Sequence, residues 1–385
     1  MLFRDMVITN YSESYLLNIP SDDLALPQKL SSLQKMKDAA EKNGESPFCS
    51  FSDTDMLMWY LYDSKNLDVS KDRMTRTTIE YRRELEQFLH NLLTYHEEMD
   101  IHFEQIIKGS LFKSLFPQDM RKYQSWLATK SPYVIKHGNY SPATLSRKTT
   151  ILKSFFSFLY KENYIEQRLA DGFKISSVQK DDRPNRDLGP KDVLALLHAF
   201  KEQQHIVMFT IVHVLTTTGI RNEEFCKLRV KDLCRDSILG GYYLKIDGKG
   251  NKKRNVPVIE KVVETIRMFR KARGLVPIEV ADKDSPLFTT NRGKAFSVTY
   301  LSRYVKEEIK ALPEGILSEE VTITPHVFRH AFAIISNMHG INLNDISRSL
   351  GHEDQKTTMI YLEKIFEKER HAIHRWKPEI FGEFI

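Results

Sequence analysis

Arg221 lies where an apolar run gives way to Thr218-Gly219-Ile220-Arg221-Asn222-Glu223-Glu224. Gly219 is expected to end one helix and a second to begin near Arg221. A guanidinium there can grip a phosphate with two parallel hydrogen bonds, helped by the partial positive charge of a helix N-terminus. Glu224, three residues on, falls on the same face and can brace it from behind. Lys249 lies further along, in Gly248-Lys249-Gly250-Asn251. Its flanking glycines permit a tight turn and close backbone approach to a ligand, so this lysine can be projected as a proton donor. In Thr324-Pro325-His326-Val327-Phe328-Arg329-His330, Thr324 reads as an N-cap and Pro325 as the first helical residue. His326 and Arg329 then share one face at the positive helix end, an anion site made of side chains and backbone together. Gly351, in Leu350-Gly351-His352, reads as the stop of a helix begun near Asn344, and Asp354 as the cap of the next. Tyr361 falls on that next helix.

Taken singly, each residue has a plainer reading: a surface ion pair for Arg221 with Glu224, a solvated turn for Lys249, packing for Tyr361. Metal chemistry finds little support. His326 and His330 have i,i+4 spacing but lack the acidic residue and third ligand of a zinc protease. Cys49, Cys226 and Cys234 form no CxxC pair and no disulfide framework.

The elements that must hold these residues are mostly helical. At 385 residues, two or three domains are expected. The 41% apolar and 28% charged composition is that of a globular chain. The longest apolar run, His205 to Leu215, is about half the roughly 20 residues that cross a bilayer. No signal peptide is recognisable, so a cytoplasmic protein without membrane contact is expected. Residues 1–70 read as an arm, an accessory domain or an extension of the neighbouring domain, with helices at Ser31–Lys42 and Ser50–Tyr62, the latter capped by Ser52 or Asp53. An all-α domain is expected over 71–175. Ile79, Leu85, Phe88, Leu89 and Leu92 form one apolar stripe, a helix covers 117–127, and another starts after the Ser141 cap. That last helix turns Leu145, Leu152, Phe155, Phe156 and Leu159 inward and Arg147, Lys148 and Lys153 outward, a basic cluster suited to phosphate contacts. Residues 176–187 have one apolar residue and several turn formers, so they read as a linker. Residues 188–385 read as a mainly α domain with a small β-sheet, a hairpin of Tyr242–Asp247 and Lys253–Val258. The net charge of +6 barely favours a polyanionic partner, but Lys249, Lys252, Lys253 and Arg254 crowd four cations into one turn, suited to phosphate contacts.

The ordered set Arg221, Lys249, His326-x-x-Arg329, Leu350-Gly351-His352 and Tyr361 resembles the catalytic signature of the tyrosine recombinase (phage integrase) family. That family includes Xer-type chromosome-dimer resolvases and the integrases of phages and conjugative elements. Residues 77–173, with Ser141-Pro142-Ala143-Thr144-Leu145 and Phe155-Phe156-Ser157-Phe158-Leu159, resemble its helical core-binding domain. The resemblance covers about 75 to 385. Ile220 replaces the family's usual leucine, Glu224 stands where an acidic residue is frequent, and residues 1–70 match nothing assignable.

The resemblance implies two domains closing as a C-shaped clamp on double-stranded DNA at specific recombination sites. Tyr361 would attack a phosphodiester, form a 3′-phosphotyrosyl link and release a 5′-hydroxyl, which another strand's hydroxyl then reverses. Arg221 and Arg329 would hold the non-bridging oxygens as permanently charged forks. His326 and His352 would add hydrogen bonds, His326 would also help deprotonate Tyr361, and Lys249 would protonate the leaving oxygen. Two arginines stand in for a divalent metal, and the covalent link conserves bond energy, so no metal, ATP or other cofactor is expected. A monomer in solution and a homo-tetramer on synapsed DNA are implied. The apolar tail residues Trp376, Ile380, Phe381, Phe384 and Ile385 either pack back or, as in the family, dock on a neighbouring protomer. The alternatives are a type IB topoisomerase, which relaxes supercoils without a specific site, and a non-catalytic DNA-binding relative. A rolling-circle relaxase would need a metal-binding histidine pair absent here.

Overall fold

The structure is a computed structural model that describes residues 25–64, 75–102, 107–175, 185–248, 253–317, 321–352, 354–369 and 371. The chain divides into two compact units, Met1–Arg183 and Pro184–Ile385.

The first unit contains α1 (Ala25–Lys42), α2 (Asp53–Tyr62), α3 (Thr75–Tyr95), α4 (Pro117–Thr129), α5 (Pro132–His137) and α6 (Pro142–Lys161). Ser52 caps α2 through a reciprocal capping box with Asp55. Ser141 caps α6 by accepting the Thr144 N–H, with Pro142 as the first helical residue. The core is aromatic: Phe88 meets Tyr123 at 4.7 Å and Phe156 at 5.4 Å. Leu33 of α1 and Met56, Leu57 and Tyr60 of α2 belong to that same core, so the helices of 25–62 extend the bundle rather than form a separate body. Buried Asp53 fastens the join, accepting from the Tyr164 hydroxyl at 2.7 Å and the Phe112 N–H at 3.0 Å. Two expectations fail here. Ile79 is 53% exposed, and the buried apolar stripe of α3 begins at Leu85. Lys148 is 8% exposed and points inward, because Glu84 of α3 receives its Nζ at 2.6 Å.

The second unit contains α7 (Pro190–Glu202), α8 (Ile206–Thr218), α9 (Asn222–Lys227), β1 (Leu233–Arg235), β2 (Tyr242–Asp247), β3 (Lys253–Val258), α10 (Glu260–Ala272), α11 (Val298–Lys310), α12 (His326–Met338), α13 (Leu343–Leu350) and α14 (Gln355–Glu369). α8 is apolar on nearly every face because it is central, packed by α7, α10 and α12. The strands form an antiparallel sheet in the order β1-β2-β3, with Leu244 opposite Val256 and Asp247 opposite Lys253. A smaller cluster of Ile334, Ile346, Leu350, Tyr361 and Leu362 joins α12, α13 and α14. The boundary between the units falls inside the 176–187 stretch. Of that stretch only 185–187 are described, and the Asn185 carbonyl accepts the Thr322 N–H at 2.8 Å. Among the described residues, no helix is long and apolar enough to cross a membrane.

Candidate active site

Four helix ends of the second unit assemble the site. α8 stops at Gly219, whose φ of +61° turns the chain into the left-handed region. A Cβ there would lie 2.9 Å from both Leu350 and Phe332, so only glycine fits. The Gly219 carbonyl accepts Arg329 Nη1 at 2.6 Å. α13 is capped by Asn342 and stops at Gly351, φ +64°. Its last carbonyl, that of Leu350, accepts Arg329 Nη2 at 2.6 Å, and the Gly351 carbonyl accepts Arg221 Nη2 at 3.1 Å. Both arginines are therefore aimed by helix-terminal carbonyls.

Arg221 forms the N-cap of α9, and Glu224 braces it as expected: Glu224 accepts the Arg221 backbone N–H at 2.7 Å and Nη1 at 3.0 Å. The same carboxylate takes both Nη groups of Arg254 at 2.8 Å. Burial would raise the Glu224 pKa, but the hydrogen bonds from Arg254 and the Arg221 backbone, with the two positive charges, hold it down at about 2.

Arg329 is fully buried, and among the described residues it has no ion-pair partner and its Nε has no hydrogen bond. Burial, followed by the neighbouring charge of Arg221, pulls its pKa down to about 10, so it stays cationic at neutral pH. Among the described residues this buried positive charge is held by backbone carbonyls rather than by a paired carboxylate.

α12 begins one residue later than its sequence suggested. Pro325 is the N-cap, and Val327 N–H bonds the Thr324 backbone carbonyl rather than its hydroxyl. The Thr324 Oγ1 is buried with no hydrogen-bond partner among the described residues. His326 and Arg329 still share one face. The Tyr361 hydroxyl hydrogen-bonds His326 Nε2 at 3.1 Å. His352 lies edge-on to the Tyr361 ring, 5.3 Å between centroids, and its Nδ1 is 2.8 Å from the fully buried Thr358 hydroxyl. Burial and the adjacent arginines push His326 down to about 4 and His352 to about 3, so both are neutral at pH 7. Sequence reasoning missed His330, which stacks on Tyr361 at 3.7 Å. Its position four residues beyond His326, next to Arg329, was the available signal. Arg186, also missed, contributes positive charge at both His326 and His330.

A sequence model of the phage integrase family matches residues 186–368. The tyrosine recombinase XerC of Thermodesulfovibrio yellowstonii is 33% identical over 225 residues, 57% of this chain and 71% of that one. The tyrosine recombinase XerD of Yersinia pestis is 30% identical over 264 residues, 68% of this chain and 82% of that one. The chain belongs to the tyrosine recombinase family. Its fold is shared with XerH recombinase bound to a palindromic difH substrate, post-cleavage (20% identity, TM-score 0.56, 89% of this chain and 94% of that one). It is shared too with a lambda integrase tetramer bound to a Holliday junction (16% identity, TM-score 0.54, 76% and 73%). This recombinase is thus an enzyme of DNA strand cleavage and rejoining.

Of the six residues expected to act in this recombinase, the structure brings five together: Arg221, His326, Arg329, His352 and Tyr361. Lys249 lies outside the described residues, as do Lys252 and the tail residues 372–385. Among the expected DNA contacts, Lys253 and Arg147 are exposed, the latter paired with Glu80 at 3.2 Å, and Lys153 is half-buried. Arg254 departs from its expected place. It alternates with Val256 and Val258 on the inner face of β3, and Glu224 neutralises it. It therefore supports the site from behind rather than facing outward.

Proposed function

We propose that Tyr361 is the nucleophile of a site-specific recombination reaction on double-stranded DNA. The observation that carries this is the Tyr361 hydroxyl 3.1 Å from a neutral histidine, beside two arginines anchored on backbone carbonyls. His326 Nε2, deprotonated at pH 7, takes the phenol proton as the oxygen attacks phosphorus. Arg329 and Arg221 receive the non-bridging oxygens, whose negative charge grows in the pentavalent transition state. His352 adds a hydrogen bond, and Lys249 protonates the departing 5′-oxygen. The product is a 3′-phosphotyrosyl link, resolved when a 5′-hydroxyl of another strand attacks and Tyr361 leaves.

The arginines carry the charge that a divalent ion would otherwise carry, so strand cleavage is expected to persist in EDTA; loss of cleavage in chelator would overturn this account. The working assembly is a tetramer on two recombination sites, in a protein that acts in the cytoplasm on integration, excision or resolution of DNA.

The deciding experiment is covalent trapping on nicked suicide substrates drawn from DNA flanking the gene. Wild type should give a denaturant-stable adduct, and Tyr361→Phe none. Specific binding without an adduct would favour a non-catalytic DNA-binding protein. Relaxation of supercoils without any preferred site would favour a topoisomerase.

A further inference from the structure

His330 has no part in the chemistry above, yet of the three imidazoles around the Tyr361 ring its centroid is the closest. The two rings are stacked, 3.7 Å between centroids and 29° between planes. His326 and His352 meet the same phenol ring at 86° and 76°, with centroids 5.8 Å and 5.3 Å away. One imidazole therefore lies flat on the phenol, and the other two stand nearly perpendicular to it. His330 is 6% exposed, and neither ring nitrogen has a hydrogen-bond partner among the described residues. A buried histidine that serves as an acid, a base or a structural donor normally has at least one nitrogen engaged. The charged groups that act on it are positive or protonatable: His326 and Arg329 from its own helix, Arg186 from the chain entering the unit, and His352 beyond α13. None of them stabilises an imidazolium, so the ring contributes its face and not its charge.

We propose that His330 is a positioning residue, a flat shelf that fixes the plane of the Tyr361 ring and so the direction of its hydroxyl toward His326 and the scissile phosphate. The phenol oxygen lies on the axis of χ2, so χ1 sets its position and χ2 sets the plane of its O–H bond; an imidazole packed flat on the ring restrains both. Without the shelf the ring swings about χ1 and turns about χ2, and a χ1 swing that misplaces the oxygen by about 1 Å lowers rates on the order of a hundredfold. This inference rests on the nucleophilic reading of Tyr361.

The test compares His330→Leu, which keeps bulk without a ring, with His330→Phe, which keeps a ring without nitrogens. Both are measured in the full chain on whichever suicide substrate traps wild type. His330→Leu should slow single-turnover cleavage roughly ten- to a hundredfold with unchanged DNA affinity. His330→Phe should stay within about threefold of wild type, because the stacked pair survives, and should leave the pH profile of cleavage unaltered. Equal loss in both variants, each folded and binding DNA, would mean a ring nitrogen is needed and would overturn the proposal, as would full activity in His330→Leu.

A second measurement needs neither activity nor DNA. With fluorotyrosine placed at 361, the fluorine resonance should be displaced by the imidazole ring current and return toward the free value in His330→Leu. No difference between these two proteins sinks the proposal. Absence of any wild-type adduct, with that shift present, instead sinks the nucleophile assignment while leaving the shelf intact.

Discussion

A single carboxylate, Glu224, receives the Arg221 backbone N–H, one Arg221 Nη and both Arg254 Nη groups. Removing one partner from so buried a cluster leaves the others unmatched, so Glu224→Gln should cost about 3 to 5 kcal/mol of stability and loosen Arg221. The pH dependence has a definite sign. The folded carboxyl is held near 2 against an ordinary 4.5, so its contribution is complete above about 4.5 and is lost as pH falls toward 2. Acid melts of wild type and Glu224→Gln should therefore converge across that window; parallel curves would refute the assignment. The lysines and arginines were the least legible residues in the sequence. Lys148 and Arg254 read as outward charges because helical and strand patterns locate apolar faces, not the distant carboxylate that draws a cation inward. Glu84 is 64 residues from Lys148, beyond any local pattern. The choice between Arg147 and Lys148 is testable. Arg147→Ala should reduce the slope of log affinity against log salt by about 1. Lys148→Ala should leave that slope alone and lower the melting temperature of the first unit.

At the scale of elements, most caps and periodicities were readable, the Thr324 cap and the place of Ile79 being the exceptions. The β2 and β3 limits, the Ser141 and Ser52 caps, and the helix stops at Gly219 and Gly351 all follow from local chemistry that tertiary packing reinforces. Hidden from the sequence was the use of those stops, whose carbonyls aim two arginines. Gly219→Ala tests this. The added Cβ meets Phe332 and Leu350 at 2.9 Å in a backbone conformation that alanine resists, so a loss of roughly 1 to 3 kcal/mol is expected. Trapping should fall further than the stability change explains, since the Gly219 carbonyl moves with Arg329. Wild-type trapping at a temperature where the variant is fully folded would count against the role given to that carbonyl.

For the whole molecule, the +6 net charge is too small to specify a partner; its meaning comes from the site. Residues 25–62 look like an appendage in sequence because their own apolar pattern is short, yet they complete the aromatic core of the first unit. Deleting 1–64 should therefore destabilise that unit rather than simply remove a DNA-binding arm, and a melt of the truncated chain would reveal which. Truncation after Lys377 addresses assembly instead. If the tail docks on a neighbouring protomer, binding to a single site should persist while synapsis weakens. Equal loss of both would mean that the tail packs on its own chain.

Arg329 makes no ion pair with a carboxylate among the described residues, but it does have a counterweight. The carbonyl ends of α8 and α13 each present roughly half a negative elementary charge, and the guanidinium bridges both. A counter-charge built from peptide dipoles can be neither protonated nor lost by diffusion. The two anchors of this guanidinium therefore do not titrate as pH falls, whereas the carboxylate of an Arg–Glu pair does.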